Sequence, residues 1–169
     1  MKILALMMVL LFTAPSTIYD FKVKSIEGKD FKLSKYKGKK VLIVNTASKC
    51  GYTKQYADLQ KLADQYKDKL VVIGFPANNF NGQEPGTNAD IKEFCTKNFG
   101  VTFPLTEKVS VKGLDIAPIF QYLTTQENPD FTGDIKWNFE KFLIDENGKL
   151  IHRYRSATTP LSTEITSQL

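Results

Sequence analysis

The chain reads as a single α/β domain, and three observations carry that assignment. Two β-branched apolar runs, residues 41–44 and 70–75, have the continuous character of strands buried on both faces. Each is followed by a segment of helical periodicity or capping. A further pair of apolar runs flanks Asn147-Gly148, a strong two-residue hairpin signal. With 169 residues, 42% of them hydrophobic and 24% charged, the chain is long enough to bury a core. Its 12 Phe and 7 Tyr, with no repeat or low-complexity stretch, exclude a disordered chain.

Residues 1–16 stand apart. Lys2 is followed by the apolar run 3–12 and by Ala14-Pro15-Ser16, the small-residue spacing that a signal peptidase reads. The run is shorter than the roughly 20 residues needed to span a bilayer. Residues 1–16 are therefore expected to be an export signal and 17–169 the mature domain, bound for the periplasm or the extracellular space. A disordered or surface-packed N-terminal strand is the plainer alternative.

Residues 20–23 and 31–33 flank Glu27-Gly28-Lys29-Asp30 and predict a β-hairpin. Residues 40–46 predict a buried strand. From 54 to 66, Tyr56, Leu59, Leu62, Ala63 and Tyr66 recur with helical spacing. Residues 70–75 predict a second buried strand, ended by Pro76. After the loop 77–86, Thr87 and Asn88 can cap a helix that runs to about Asn98 and is closed by Gly100. Ile91, Phe94 and Cys95 share its inner face. Residues 117–124 predict a short helix with Pro118 tolerated in its first turn. Residues 139–144 and 150–154 are the hairpin arms, and 160–169 a final helix. The order describes two βαβ-type units followed by an antiparallel pair.

The formal net charge is +5, or +4 without Lys2. Basic residues at 22–40, 61–69 and 153–155 are interleaved with acids, which describes a solvated surface with weak attraction to anionic membranes. No basic stripe carries stacking aromatics, so nucleic acid is not an expected partner. A single histidine, His152, excludes an ordinary zinc site. With two cysteines, Cys50 and Cys95, in an exported chain, a structural disulfide is one open reading.

Cys50 is the candidate reactive group. It follows the first buried strand and precedes an amphipathic helix, so it is expected in the first turn, where unpaired backbone N–H groups and the positive dipole end favour a thiolate. Lys49 adds a neighbouring cation. The segment Asn45-Thr46-Ala47-Ser48-Lys49-Cys50-Gly51 resembles the active-site motif of the glutathione peroxidase family in its cysteine form. Residues 75–86, from Phe75-Pro76-Ala77-Asn78-Asn79-Phe80 to Gln83-Glu84-Pro85-Gly86, resemble that family's second signature, and Trp137-Asn138-Phe139-Glu140-Lys141-Phe142 its third. Three long motifs in register, covering residues 18 onwards, make the resemblance specific.

The resemblance implies a thioredoxin-like α/β/α sandwich with an N-terminal β-hairpin. It also implies a catalytic tetrad of Cys50 as peroxidatic sulfur with Gln83, Trp137 and Asn138. A thiolate that cleaves a peroxide becomes a sulfenic acid and expels an oxyanion. Two amides and an indole N–H are neutral donors for such charge, adding no competing acid or base. No cofactor or metal is needed. Taken singly, Trp137 could be core packing and Gln83 a solvated turn residue.

Cys95 lies in a stretch resembling the region that carries the resolving cysteine of thioredoxin-dependent members. The resemblance implies a Cys50–Cys95 disulfide as intermediate, reached by partial unwinding of the helix, with Gly82, Gly86 and Gly100 assisting. An inert buried thiol is the plainer reading of Cys95. The chain departs from the family at Ala77, where many relatives have cysteine, at Asn79, where Gln is usual, and at Ser156-Ala157, where Pro-Thr is common. Lacking the insertion before Trp137 that builds tetramer contacts in some animal members, it is expected to be a monomer with an open site. Such a site admits hydrogen peroxide and organic or lipid hydroperoxides.

Other functions compete. A thioredoxin-like disulfide oxidoreductase needs Cys-x-x-Cys, and position 53 is Thr. Peroxiredoxin chemistry expects Thr where this chain has Ala47. A Cys–His hydrolase would have to recruit His152, placed on an edge-region strand as a surface residue. A peroxide sensor or thiol relay would need the same residues as the peroxidase, and a static disulfide-stapled domain would keep Cys50 and Cys95 paired. The expected reductant is a thioredoxin-like dithiol, since no cluster of cations suited to glutathione carboxylates is recognisable; a glutathione-dependent one-cysteine cycle is the alternative.

Overall fold

A computed structural model describes residues 15–169. The export signal expected over residues 1–16 thus falls, but for Pro15 and Ser16, outside the described residues. The strands are β1 (Val23–Lys24), β2 (Asp30–Phe31), β3 (Lys40–Thr46), β4 (Leu70–Pro76), β5 (Lys141–Ile144) and β6 (Leu150–Tyr154). The helices are α1 (Gln55–Gln65), α2 (Asn88–Phe99), α3 (Pro118–Thr125) and α4 (Thr163–Thr166). Short 3-10 turns occupy Ile18–Asp20 and Leu33–Tyr36.

The central sheet has the order β4-β3-β5-β6. β3 and β4 are parallel, from Lys40 opposite Leu70 to Thr46 opposite Pro76, joined by α1. β5 runs antiparallel to β3, with Val41 opposite Ile144 and Val44 opposite Lys141, and β6 closes the hairpin. Alternate residues of β3 feed two cores. Val41 and Ile43 pack with Phe75, Phe142 and α3 residues Ile119, Phe120 and Leu123. Leu42 and Val44 pack with Tyr56, Leu59 and Leu62 of α1 and with Ile91 and Cys95 of α2. This is the expected thioredoxin-like sandwich, and burial on both faces explains why its central strands carry no polar alternation.

Several expectations need correction. The N-terminal hairpin is shorter than predicted because the chain beyond β1 changes partner: Ile26 N–H donates to the Leu105 carbonyl at 2.9 Å, and Ser25 bridges Thr106. The second parallel unit is reduced to one bridge, Gly74 with Leu105, since Pro104 beside it has no N–H to extend a ladder. The final helix is a single turn, its hydroxyl-rich sequence (Ser162, Thr163, Thr166, Ser167) disfavouring more. By contrast α2 has the predicted ends. Thr87 and Asp90 form a reciprocal capping box, and Gly100 closes the helix at φ 61°. Phe94, expected on its inner face, is only half-buried. His152, read as a surface residue, is half-buried on β6 with Nδ1 3.1 Å from Asp130.

Candidate active site

Topology gathers the three motifs at one end of the sheet. Parallel β3 and β4 both discharge their loops there, and antiparallel β5 begins beside the place where β3 ends. The register continues past the strands: Asn45 N–H reaches the Glu140 carbonyl at 3.4 Å, and Phe139 N–H reaches the Asn45 carbonyl at 2.6 Å. The Asn45 amide also donates to the Trp137 carbonyl at 3.1 Å.

Cys50 heads a run of i to i+3 turns that leads into α1, whose regular part begins only at Gln55. The sulfur therefore stands ahead of the helix rather than in its first turn. It caps the turn itself, accepting from Tyr52 N–H at 3.4 Å. Thr53, buried, accepts from Cys50 N–H at 2.9 Å and donates to the Ala47 carbonyl at 2.8 Å, clamping the loop across its base. The residue that rules out Cys-x-x-Cys is thus a structural member of the site.

Gln83 is delivered by a tight turn, Phe80 to Gln83, closed by a 3.1 Å bond and built on left-handed Asn81 (φ 52°) and Gly82 (φ 62°). Its backbone carbonyl accepts from Lys49 N–H at 3.0 Å. Its side-chain oxygen accepts from the Asn138 amide at 2.9 Å, which leaves the Gln83 NH2 as a donor. Asn138 is fully buried, whereas Trp137 is half-buried with its ring 5.6 Å from Phe80. Gln83 therefore bonds both the Cys50 loop and Asn138. The Cys50 sulfur is held by Tyr52 rather than by the amides of Gln83 or Asn138.

Phe139 follows with φ 65°, a conformation costing a non-glycine residue roughly 1–3 kcal/mol. Its ring packs edge-on against Tyr56 at 5.4 Å. The bonds around it offset that strain: the Asn45 carbonyl takes its N–H, and the buried Lys141 amino group donates to its carbonyl at 2.8 Å. On the opposite face, buried Glu140 accepts from Arg153 at 2.9 Å and Arg155 at 2.7 Å and from Lys136 N–H at 2.6 Å.

Cys95 is fully buried in α2, and both thiols are free. Burial pushes its thiol up to about 11, with the Tyr56 hydroxyl opposing. Between the Cys50 loop and this helix lies a cavity of about 260 Å³, lined by Ser48, Lys49, Glu84, Pro85, Ile91 and Phe94 among others. Glu84 is buried there. Ser48 donates to it at 2.6 Å, while burial raises its carboxyl above the usual range. A larger cleft, about 530 Å³, lies at the N-terminal hairpin and contains no site residue. Among the described residues no cluster of three or more His, Cys, Asp or Glu side chains is placed to hold a metal ion.

Sequence reasoning missed Thr53, Ser48, Glu84 and Lys141 as parts of this arrangement, although all lie inside or beside the three motifs. Burial distinguishes Thr53, Glu84 and Lys141, and a bond to Glu84 distinguishes Ser48; both are set by the topology.

Similarity to known proteins covers nearly the whole domain. The glutathione peroxidase family model matches residues 18–124. The chain is 51% identical over 146 residues to the glutathione peroxidase homolog BsaA of Halalkalibacterium halodurans, covering 86% of this chain and 93% of that one. It is 50% identical over 145 residues to the glutathione peroxidase-like peroxiredoxin GPX5 of Chlamydomonas reinhardtii, covering 85% and 90%. Among solved structures, Trgpx in its apo form matches with a TM-score of 0.71 at 38% identity, over 90% of this chain and 95% of that one.

Proposed function

The chain belongs to the glutathione peroxidase family, and from that premise we propose that it is a thiol-dependent peroxidase working through Cys50 and Cys95. The Cys50 thiolate attacks one peroxide oxygen. An S–O bond forms, the O–O bond breaks, and the departing hydroxide or alkoxide takes a proton to leave as water or alcohol. Gln83, Trp137 and Asn138 supply neutral N–H donors to the developing oxyanion. The observation that carries this reading is the double engagement of Gln83, 3.0 Å to Lys49 N–H and 2.9 Å to Asn138, which joins three motifs distant in sequence.

Cys95 then attacks the Cys50 sulfur. An S–S bond forms and the sulfenic oxygen leaves as water with the Cys95 proton. A thioredoxin-like dithiol reduces the disulfide, its own two thiols becoming oxidised. Full burial of Cys95 means that α2 must open for this step, and the cavity beside the Cys50 loop gives the helix space to move. The same burial favours one second reading, a one-cysteine cycle reduced by glutathione. Export is supported by the pattern of residues 1–16, a monomer by the short connection before Trp137, and weak contact with anionic lipid by the net positive charge.

The test is peroxide turnover by the 17–169 chain supplied with either a thioredoxin system or glutathione, for wild type and Cys95→Ser. Turnover with thioredoxin alone, abolished by Cys95→Ser, is the expected result. Turnover with glutathione that ignores Cys95→Ser establishes the one-cysteine cycle. No turnover with either donor leaves a peroxide sensor or relay.

A further inference from the structure

Lys141 is a lysine with no exposed surface, in the centre of the sheet, and no carboxylate lies within ion-pair distance of it among the described residues. Its neighbour Glu140 points to the other face, where two arginines occupy it. Packing alone would be served better by an apolar side chain, because burying an amino group without a counter-ion is unfavourable. Burial indeed pulls this lysine down to about 7. Its partners suggest what the amino group is for. Nζ donates to the carbonyl of left-handed Phe139 at 2.8 Å and to the Ser156 carbonyl at 3.3 Å. The Ser156 carbonyl also accepts from the Gln55 amide, at 2.8 Å, where α1 begins. One side chain thus joins the loop entering β5, the loop after β6 and, through Ser156, the helix that follows Cys50.

We propose that Lys141 is a positioning residue for the peroxidase site, holding Phe139 in its left-handed conformation so that Trp137 and Asn138 stand correctly against Gln83. This role rests on the tetrad reading given above. The N-terminal side of the turn is already fixed, by Asn45 to the Trp137 carbonyl and by Phe139 N–H to Asn45. Lys141 fixes the other side. Without it the Phe139 carbonyl loses a buried donor, and rotation of that peptide out of the left-handed region swings Asn138 away from its 2.9 Å bond to Gln83. A lysine amino group donates whether charged or neutral, so the grip persists in either protonation state.

Trp137 is the single tryptophan of the chain, so its emission reports the position of this segment without interference. Lys141→Met and Lys141→Gln are compared with wild type well below their melting temperatures. Three quantities are read: Cys50 oxidation by hydrogen peroxide, Cys50 alkylation by iodoacetamide, and Trp137 emission. Alkylation needs the thiolate but not the oxyanion donors. Lys141→Met is expected to slow oxidation by about 10- to 100-fold, part of the effect of losing one oriented donor, to shift the emission and to leave alkylation at the wild-type rate. Lys141→Gln, which keeps an N–H donor, recovers part of the loss.

A lower melting temperature with oxidation and emission unchanged would show a purely structural lysine and overturn the proposal. So would equal slowing of oxidation and alkylation, or failure of both variants to fold. If wild-type Cys50 reacts with peroxide no faster than free cysteine, the tetrad reading has failed instead, and the Trp137 emission alone decides whether Lys141 positions the segment.

Discussion

Removing the cap of α2 should accelerate the second half of the catalytic cycle while leaving the first untouched. With its thiol pushed up to about 11, Cys95 in the closed helix is thiolate in roughly one molecule in ten thousand at pH 7, against roughly one in thirty for an ordinary exposed thiol near 8.5. In the proposed two-cysteine cycle, resolution therefore proceeds from the opened helix, and its rate follows the opening equilibrium. Thr87 holds that equilibrium closed: its hydroxyl accepts from Asp90 N–H at 3.2 Å, and its N–H donates to the Asp90 carboxylate at 2.9 Å. Losing such a cap costs about 1 kcal/mol, which corresponds to about a fivefold increase in opening. Single-turnover reactions with one equivalent of hydrogen peroxide, quenched with an alkylating reagent and read by mass, separate sulfenic acid from disulfide. Thr87→Ala should form the disulfide about fivefold faster with an unchanged rate of sulfenic acid formation. Disulfide formation that is unchanged or slower would refute the reasoning, because Cys95 would then react without helix opening.

Asn138→Ala should lower the rate of Cys50 oxidation by about 100-fold, measured by stopped-flow, since it removes a donor and leaves the Gln83 side-chain oxygen unpaired; an unchanged rate would remove Asn138 from the site. Glu140→Gln should destabilise the protein by about 3–5 kcal/mol in urea unfolding, because it leaves the buried Arg153 guanidinium without its counter-charge. A loss below about 1 kcal/mol, the range of an exposed pair, would contradict the buried geometry. Lys141 sets a pH dependence. Its folded value of about 7 lies below its unfolded 10.5, so between those values the unfolded chain holds a proton that the folded chain lacks. Stability from this group accordingly rises with pH, by about 1.4 kcal/mol per unit above pH 7. Urea unfolding at pH 7 and 9 should show a more positive slope for wild type than for Lys141→Met, and equal slopes would mean that the lysine is solvated.

The parts of the fold legible in the sequence were those governed by local rules. β3 follows the β-branched run at 41–44, and α2 follows its Thr87 cap and Gly100 stop. The parts that were not depend on partners far along the chain. The second βαβ unit shrinks to a bridge because residues 104–106 meet both Gly74 and the N-terminal hairpin. The two Asn-Gly pairs are also instructive. Asn147-Gly148 does join β5 and β6, but with only Gly148 left-handed (φ 88°), in a turn braced by the Asp145 carboxylate. Asn81-Gly82, which lies inside the loop 77–86, is the pair with both residues left-handed. At the site, the three motifs were recognisable as blocks. Lys141 reads in sequence as one more surface cation, and Phe139 gives no local hint of positive φ. Both become significant only because antiparallel β5 enters beside the end of β3.

On the proposed two-cysteine cycle, the capped α2 that holds Cys95 sets how long the oxidised enzyme waits. On that cycle, after one equivalent of peroxide Cys50 would remain a sulfenic acid until the helix opens. A second peroxide arriving during that interval carries the sulfur on to sulfinic acid, which the Cys95 thiol cannot reverse. Helix stability therefore acts as a dosage setting. A tighter cap lowers the peroxide concentration at which the protein inactivates itself, and a looser one raises it. Residues such as Thr87, Asp90 and Gly100, remote from any reacting atom, then determine whether the protein endures an oxidative burst or is silenced by it.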